Sequence, residues 1–160
     1  MCGFCSDLMS TDDQGFYYFV DRIGDTFRWK GENVSTSEVA AAIAAFPGVK
    51  EVNVYAVRVP RTEGAAGMAA LVVDDHFDLG VFRAHIAAQL PAYARPVFVR
   101  LVHALDLTGT FKPRKVELVR EGYDPTQVSD PLYVVDARSG AYVLLDRERH
   151  AAIAAGRLRL

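Results

Sequence analysis

The sequence predicts an α+β domain: a small central sheet of about three strands flanked by helices, with a short N-terminal hairpin. Three observations carry that expectation. Segments 49–59, 68–73 and 97–101 have the apolar, β-branched character of strands, and the first alternates strongly. Beside them, Leu79, Phe82, Ile86 and Leu90 keep helical spacing. Capping residues and breakers stand where the helices between strands must start and stop.

Taken in order, residues 11–15 (Thr-Asp-Asp-Gln-Gly) read as a turn joining segment 4–9 to the aromatic run 16–20, which makes the hairpin. Residues 26–30 alternate apolar with basic, so they predict a strand with one wet face. Gly31-Glu32-Asn33 turns the chain back into Val34. Ser35-Thr36-Ser37-Glu38 is a capping box, in which the Ser35 hydroxyl accepts from the Glu38 amide and the Glu38 carboxylate accepts from the Ser35 amide. The helix it opens runs to Phe46 and stops at Pro47-Gly48. Gly64-Ala65-Ala66-Gly67 turns the chain into the second strand, and Asp75 or Asp78 caps a helix over 79–90 that Pro91 ends. Arg95-Pro96 leads into the third strand, residues 105–115 form a loop, and 116–120 a short helix. A hairpin over 132–135 and 142–145 and a last helix over 146–155 complete the chain.

Composition limits what such a domain does. The chain has 160 residues, 51% hydrophobic and 24% charged, which excludes disorder and low complexity. Lys plus Arg number 18 against 20 Asp plus Glu, and a net charge of −2 argues against a nucleic-acid partner. No apolar run nears the ~20 residues of a membrane helix. The N-terminus lacks the basic start and apolar stretch of a secretory signal, so a cytoplasmic protein, or a cytoplasmic piece of one, is expected. Cys2 and Cys5 have C-x-x-C spacing. Redox chemistry at such a pair needs a preceding strand and a following helix, and a zinc site needs about four ligands. With His76, His85, His103 and His150 scattered, the spacing reads as coincidence and no metal ligand is assigned. Phosphate-loop, dinucleotide, serine-hydrolase and zinc-protease motifs are missing from the sequence. Asp12-Asp13 and Asp74-Asp75 fall in expected turns, where solvated carboxylates are ordinary. The chain alone holds no self-sufficient catalytic pocket, and any chemistry would share a site completed elsewhere.

Two segments point to where. Residues 21–39 read DRIGDTFRWKGENVSTSEV, and 108–115 read TGTFKPRK. Together they resemble the C-terminal domain of acyl-adenylate-forming ligases, in the fatty acid transport protein / very-long-chain acyl-CoA synthetase branch. A weaker likeness runs from about residue 4 to 145 and includes LPAYARPVFVRL at 90–101. The resemblance implies that residues 1–20 end an absent N-terminal adenylation domain, 21–121 form a C-terminal lid, and 122–160 an extension packing on the lid. It implies a long-chain or very-long-chain fatty acid–CoA ligase that joins fatty acid, ATP and CoA through an acyl-adenylate and releases AMP and pyrophosphate. This chain would be an incomplete part of it, inactive alone.

Site residues follow from the same resemblance. Cys5-Ser6-Asp7-Leu8 matches a T-G-D-L pattern with Ser6 in place of glycine, and Asp7 would accept the ribose hydroxyls of ATP. Arg22 would donate to the ribose from the lid side. Gly24 occupies the hinge position, where a residue without Cβ pivots freely. Lys112 matches the catalytic lysine, a point charge on a flexible stem set between the carboxylate and the α-phosphate. Lys30, Gly31 and Glu32 match the turn that faces CoA, with Arg28 and Lys30 available to its phosphates. Implied cofactors are ATP, CoA and Mg²⁺, the metal riding on the phosphates with no ligand from this chain. Implied partners are the fatty acid and the N-terminal domain, and peripheral membrane association is compatible with the branch but not encoded here. The competing reading is a stand-alone, non-catalytic α+β module that binds a nucleotide or a partner.

Overall fold

The computed structural model describes residues 7–11, 17–22, 26–62, 64–105 and 115–160, with backbone only at 7–11, 17–22 and 115–117. At the N-terminal end β1 (Asp7–Thr11) pairs antiparallel with β2 (Tyr17–Arg22), the expected hairpin. A second antiparallel pair follows, β3 (Thr26–Trp29) with β4 (Glu32–Ser35). Phe27 and Trp29 are buried and Thr26 and Arg28 exposed, so the wet-face alternation holds. The turn is tighter than the sequence suggests. Lys30 and Gly31 alone close it, at φ 52° and 82°, while Glu32 and Asn33 already belong to β4. A two-residue hairpin turn whose twist matches its strands needs positive φ at both positions.

Ser35 caps α1 (Thr36–Ala44), its hydroxyl accepting from the Glu38 amide at 3.5 Å. Gly48, at φ 99°, swings the chain into β5 (Val49–Val57), which pairs antiparallel with β6 (Ala66–Val73). Of the two candidate caps, Asp78 opens α2 (Leu79–Gln89) by accepting from the Val81 amide at 2.8 Å. That helix carries the chain across to β7 (Phe98–Leu101), which lies parallel to β6, as a parallel neighbour requires a crossover. α3 (Lys115–Glu121), β8 (Leu132–Val135), β9 (Tyr142–Leu144) and α4 (Arg147–Ala154) complete the order, close to the expected bounds.

The sheet has five strands, β5-β6-β7-β8-β9, rather than about three. The C-terminal hairpin docks on β7 through Phe98↔Val134, Val99↔Tyr133 and Arg100↔Leu132. Without it β7 would present an unpaired edge, and Leu132 and Val134 continue the apolar face across it. A local pattern shows that a hairpin forms but not which edge receives it.

Helices cover both faces. Successive residues on a strand face opposite ways, so Phe98 and Arg100 share one side of β7 and Val99 takes the other. On the first side Tyr123 stacks on Phe98 with ring centroids 4.2 Å apart, and His150 of α4 packs against Tyr123 at 5.4 Å. On the other, Phe46, just past α1, meets Phe82 of α2 edge to face at 5.4 Å, and His85 of α2 reaches the Ala42 carbonyl of α1 at 2.9 Å.

Candidate functional site

Asp7 and Arg22 are register partners in the β1–β2 ladder. The hairpin therefore sets the two expected ribose positions directly opposite each other. Lys30, Gly31 and Glu32 lie at the exposed tip of the other hairpin, in a separate ladder. Gly24 and Lys112 fall outside the described residues, as do Cys2, Cys5 and Ser6.

The tip of the β3–β4 hairpin is held from below. Trp29 is 4% exposed and bridges to Gly64, while the Ala65 amide donates to the Arg28 carbonyl at 2.9 Å. Arg28 bends its guanidinium back to the Gly31 carbonyl at 3.3 Å, so it stiffens the turn from its own strand. Lys30 Nζ sits 5.7 Å from the centroid of the Trp29 ring, within cation–π range. A Cβ at Gly31 would meet nothing within 4 Å, so the space above this position is open.

Beside the turn lies a cavity of about 340 Å³ lined by Trp29, Lys30, Arg83, Arg95, Asp136 and Tyr142 among others. Lys30, Arg83 and Arg95 bring three cations to its lining beside Asp136 and the C-terminal Leu160. Arg95 donates to the Leu90 and Ala87 carbonyls at 3.0 and 2.9 Å, satisfying the last turn of α2. Arg83 donates to the Gly140 carbonyl. The Ser139 hydroxyl and amide donate to Asp136 and hold its carboxyl below the usual range. Tyr142 donates to the Pro96 carbonyl at 2.6 Å, and burial pushes its phenol well above the ordinary value despite nearby Arg83 and Arg95.

A second polar cluster lies within the sheet. Arg100, 8% exposed, donates from Nε and Nη2 to Asp130 at 2.9 and 2.7 Å and from Nη1 to Glu121. Burial works against this charge, but the hydrogen bonds to Glu121 and Asp130 outweigh it and hold the guanidinium above its ordinary pKa. Asn53 Nδ2 is buried without a hydrogen-bond partner among the described residues, and burial raises the Tyr55 phenol strongly against the opposing charge and hydrogen bond of Arg100. The sequence reading passed over this cluster. Its signal was present as an arginine inside VFVRL and an asparagine inside VKEVNVYAV, polar residues on strands otherwise reading as core.

The profile of the AMP-binding enzyme C-terminal domain matches residues 38–112. Over 156 residues, 96% of its length, the chain is 53% identical to long-chain fatty acid transport protein 3 of Homo sapiens, of which it spans 23%. Residues 38–112 thus carry the C-terminal domain of an AMP-binding, adenylate-forming enzyme. The adenylate-forming domain also superposes on the Mycobacterium tuberculosis fatty acyl CoA synthetase with a TM-score of 0.59 and 29% identity, covering 76% of this chain and 24% of that one. ATP-bound MatB from Rhodopseudomonas palustris gives a TM-score of 0.58 at 26% identity, over 72% of this chain and 23% of MatB. The chain thus spans under a quarter of the curated relative named above. Among the described residues, no helix is long and apolar enough to cross a membrane, and no group of three or more His, Cys, Asp or Glu could hold a metal ion.

Proposed function

We propose that this chain is the catalytic C-terminal part of a long-chain or very-long-chain fatty acid–CoA ligase, acting with a large adenylation domain that it does not span. The observation that carries the reading is the likeness to a long-chain fatty acid transport protein over 96% of the chain, far beyond a shared motif. An acyl-CoA synthetase fold at a TM-score of 0.59 supports it.

In the first half-reaction a fatty-acid carboxylate oxygen attacks the α-phosphorus of ATP, and the bond to the bridging oxygen breaks to release pyrophosphate. Two anions converge, and charge grows on the phosphoryl oxygens. Lys112 supplies an ammonium between them, an attraction strongest in the transition state. Asp7 accepts the ribose hydroxyls and Arg22 donates to the ribose. The lid beyond Gly24 then pivots about that residue, with 122–160 carried along through the β7–β8 ladder. Lys112 withdraws, and the open backbone at Gly31 lets the pantetheine arm pass. The CoA sulfur attacks the acyl carbonyl and AMP leaves. Lys30 and the cations of the neighbouring cavity draw the CoA phosphates, and Glu32 borders that approach.

The test fuses this chain to the large domain of human long-chain fatty acid transport protein 3, replacing the aligned portion. Fatty-acid-dependent ATP–pyrophosphate exchange is measured for wild type and Lys112→Ala. Loss of the lysine is expected to slow exchange by roughly 10²–10³-fold. CoA transfer from preformed acyl-adenylate should change little. Exchange indifferent to Lys112 would instead fit the non-catalytic module.

A further inference from the structure

The arginines of this fold are held in two ways. Arg100 commits its guanidinium to the carboxylates of Glu121 and Asp130. Arg83 and Arg95, which line the cavity beside Lys30, are anchored to backbone carbonyls instead. Arg95 gives Nε and Nη2 to Leu90 and Ala87, and Arg83 gives Nε to Gly140. Among the described residues neither has a carboxylate within ion-pair distance, that of Leu160 included, and Nη1 of each donates to nothing. Asp136, the acidic side chain in the same lining, accepts from the Ser139 hydroxyl and amide at 2.8 and 3.1 Å. Neutral anchors fix the planar groups in place and leave their charge uncancelled, which is what holding an anion requires.

What aims Arg83 comes from beyond the matched domain. The family profile ends at residue 112, whereas Val135, Asp136, Gly140 and Tyr142 of the C-terminal extension help to line the cavity. The turn between β8 and β9 is closed twice by backbone, the Asp136 amide donating to the Ala141 carbonyl at 2.8 Å and the Gly140 amide to the Asp136 carbonyl at 2.7 Å. Gly140 lies at φ 72°, and a Cβ built there would stand 3.2 Å from Arg83 Nη2. Glycine alone combines that backbone with so close an approach of the guanidinium. Tyr142 ties the end of the turn to the Pro96 carbonyl, next to Arg95 in the chain. One rigid turn therefore brings Arg83 of α2 and Arg95, past the end of that helix, to a common space.

We propose that Gly140 is a positioning residue: the β8–β9 turn it completes aims Arg83 so that, together with Arg95, it holds a phosphate group of CoA while the thiol is delivered. The proposal rests on the reading that the Lys30 side of the lid meets CoA, and it adds the part played by the C-terminal extension. Arg83 touches the ligand; Gly140 acts only through Arg83. Two anchored guanidiniums with a spare Nη1 each suit an anion rich in acceptor oxygens, and a phosphate offers more of them than a carboxylate.

The same fusion tests it, with CoA titrated calorimetrically for Kd and CoA transfer from preformed acyl-adenylate measured for KM and kcat. Arg83→Gln removes one charge and should raise Kd and KM for CoA by roughly 10-fold. The kcat of transfer and the rate of ATP–pyrophosphate exchange should stay within about twofold of wild type. Gly140→Ala pushes on Nη2 from a left-handed position and should raise Kd by about 3-fold. Ser139→Ala loosens the same turn without adding bulk, by cutting the hydroxyl's hold on Asp136, and should act in the same direction more weakly. Neither change should weaken CoA binding further on the Arg83→Gln background, because both act through that guanidinium. Unchanged CoA affinity in Arg83→Gln, additive losses in the double variants, or an equal loss in exchange overturns the proposal. If Lys30→Glu also leaves CoA affinity intact, the CoA-side reading falls and the proposal with it. If Lys30→Glu weakens CoA and Arg83→Gln does not, only the proposal falls.

Discussion

Gly64 lies against the carbonyl of Arg28: a Cβ built on it would sit 2.1 Å from that oxygen, and its φ is 77°. The same oxygen accepts from the Ala65 amide, so the hairpin that presents Lys30 and Gly31 is fastened to the β5–β6 connection backbone to backbone. Backbone cannot step aside as a side chain can. Gly64→Ala should therefore destabilise the chain by about 3 kcal/mol, lowering its melting temperature by roughly 6–12 °C in calorimetry. Gly67→Ala is the contrast, since its Cβ would meet the tip of the Phe27 ring at 2.9 Å, a group that can shift. Equal losses in the two variants would contradict this account.

Lys30 extends from a left-handed position over the Trp29 ring and lines the same cavity as Arg83 and Arg95. Lys30→Glu replaces one of the three cations lining the cavity by an anion. In the fusion enzyme the KM for CoA should rise on the order of 10-fold at low salt, and less at high salt as screening grows. ATP–pyrophosphate exchange, which needs no CoA, should hold within about twofold. Equal effects on both reactions would remove Lys30 from the CoA side.

Most of the element order was legible because its signals are local. Ser35, Asp78 and Asp146 each cap the helix that follows them, and alternation marked β3 and β5. Signals failed where the decision was made at a distance. The strands at 132–135 and 142–144 were visible as a pair, but their docking on β7 depends on an edge some thirty residues away. The sequence places the β3–β4 turn at 31–33 rather than at 30–31 because a lysine in left-handed backbone contradicts ordinary preference, and the ladder from Trp29 to Glu32 enforces it.

The candidate site divides in the same way. Motif likeness named Asp7 and Arg22, and their pairing across one hairpin follows from strand register. Arg100 was unreadable as an ion-pair centre, because Glu121 and Asp130 lie 21 and 30 residues further on. Sequence shows a charge in an apolar strand; only the fold supplies its partners. The basic cavity likewise gathers Lys30, Arg83 and Arg95 from three separate segments, and no spacing rule links them.

Tyr142 joins that cavity to the core, its hydroxyl donating to the Pro96 carbonyl at 2.6 Å from a buried position. Tyr142→Phe removes the donor and leaves that carbonyl short of a partner, which should cost about 1–2 kcal/mol at neutral pH. The pH dependence gives a sharper test. Burial holds the phenols of Tyr142 and Tyr55 well above their ordinary value in the folded chain, whereas in the unfolded chain they ionise near pH 10. Below that pH both states keep the proton, and the phenols add no pH slope. Above it the unfolded state releases a proton that the native state retains, so stability falls as pH rises, by about 1.4 kcal/mol per pH unit for each tyrosine. Urea unfolding of the chain between about pH 9 and 11 should show this alkaline loss, and Tyr142→Phe should flatten it by one tyrosine's share while Tyr55 and Tyr123, whose phenol burial also raises, maintain the rest. A slope identical in wild type and variant would mean that the Tyr142 phenol is not held protonated by burial.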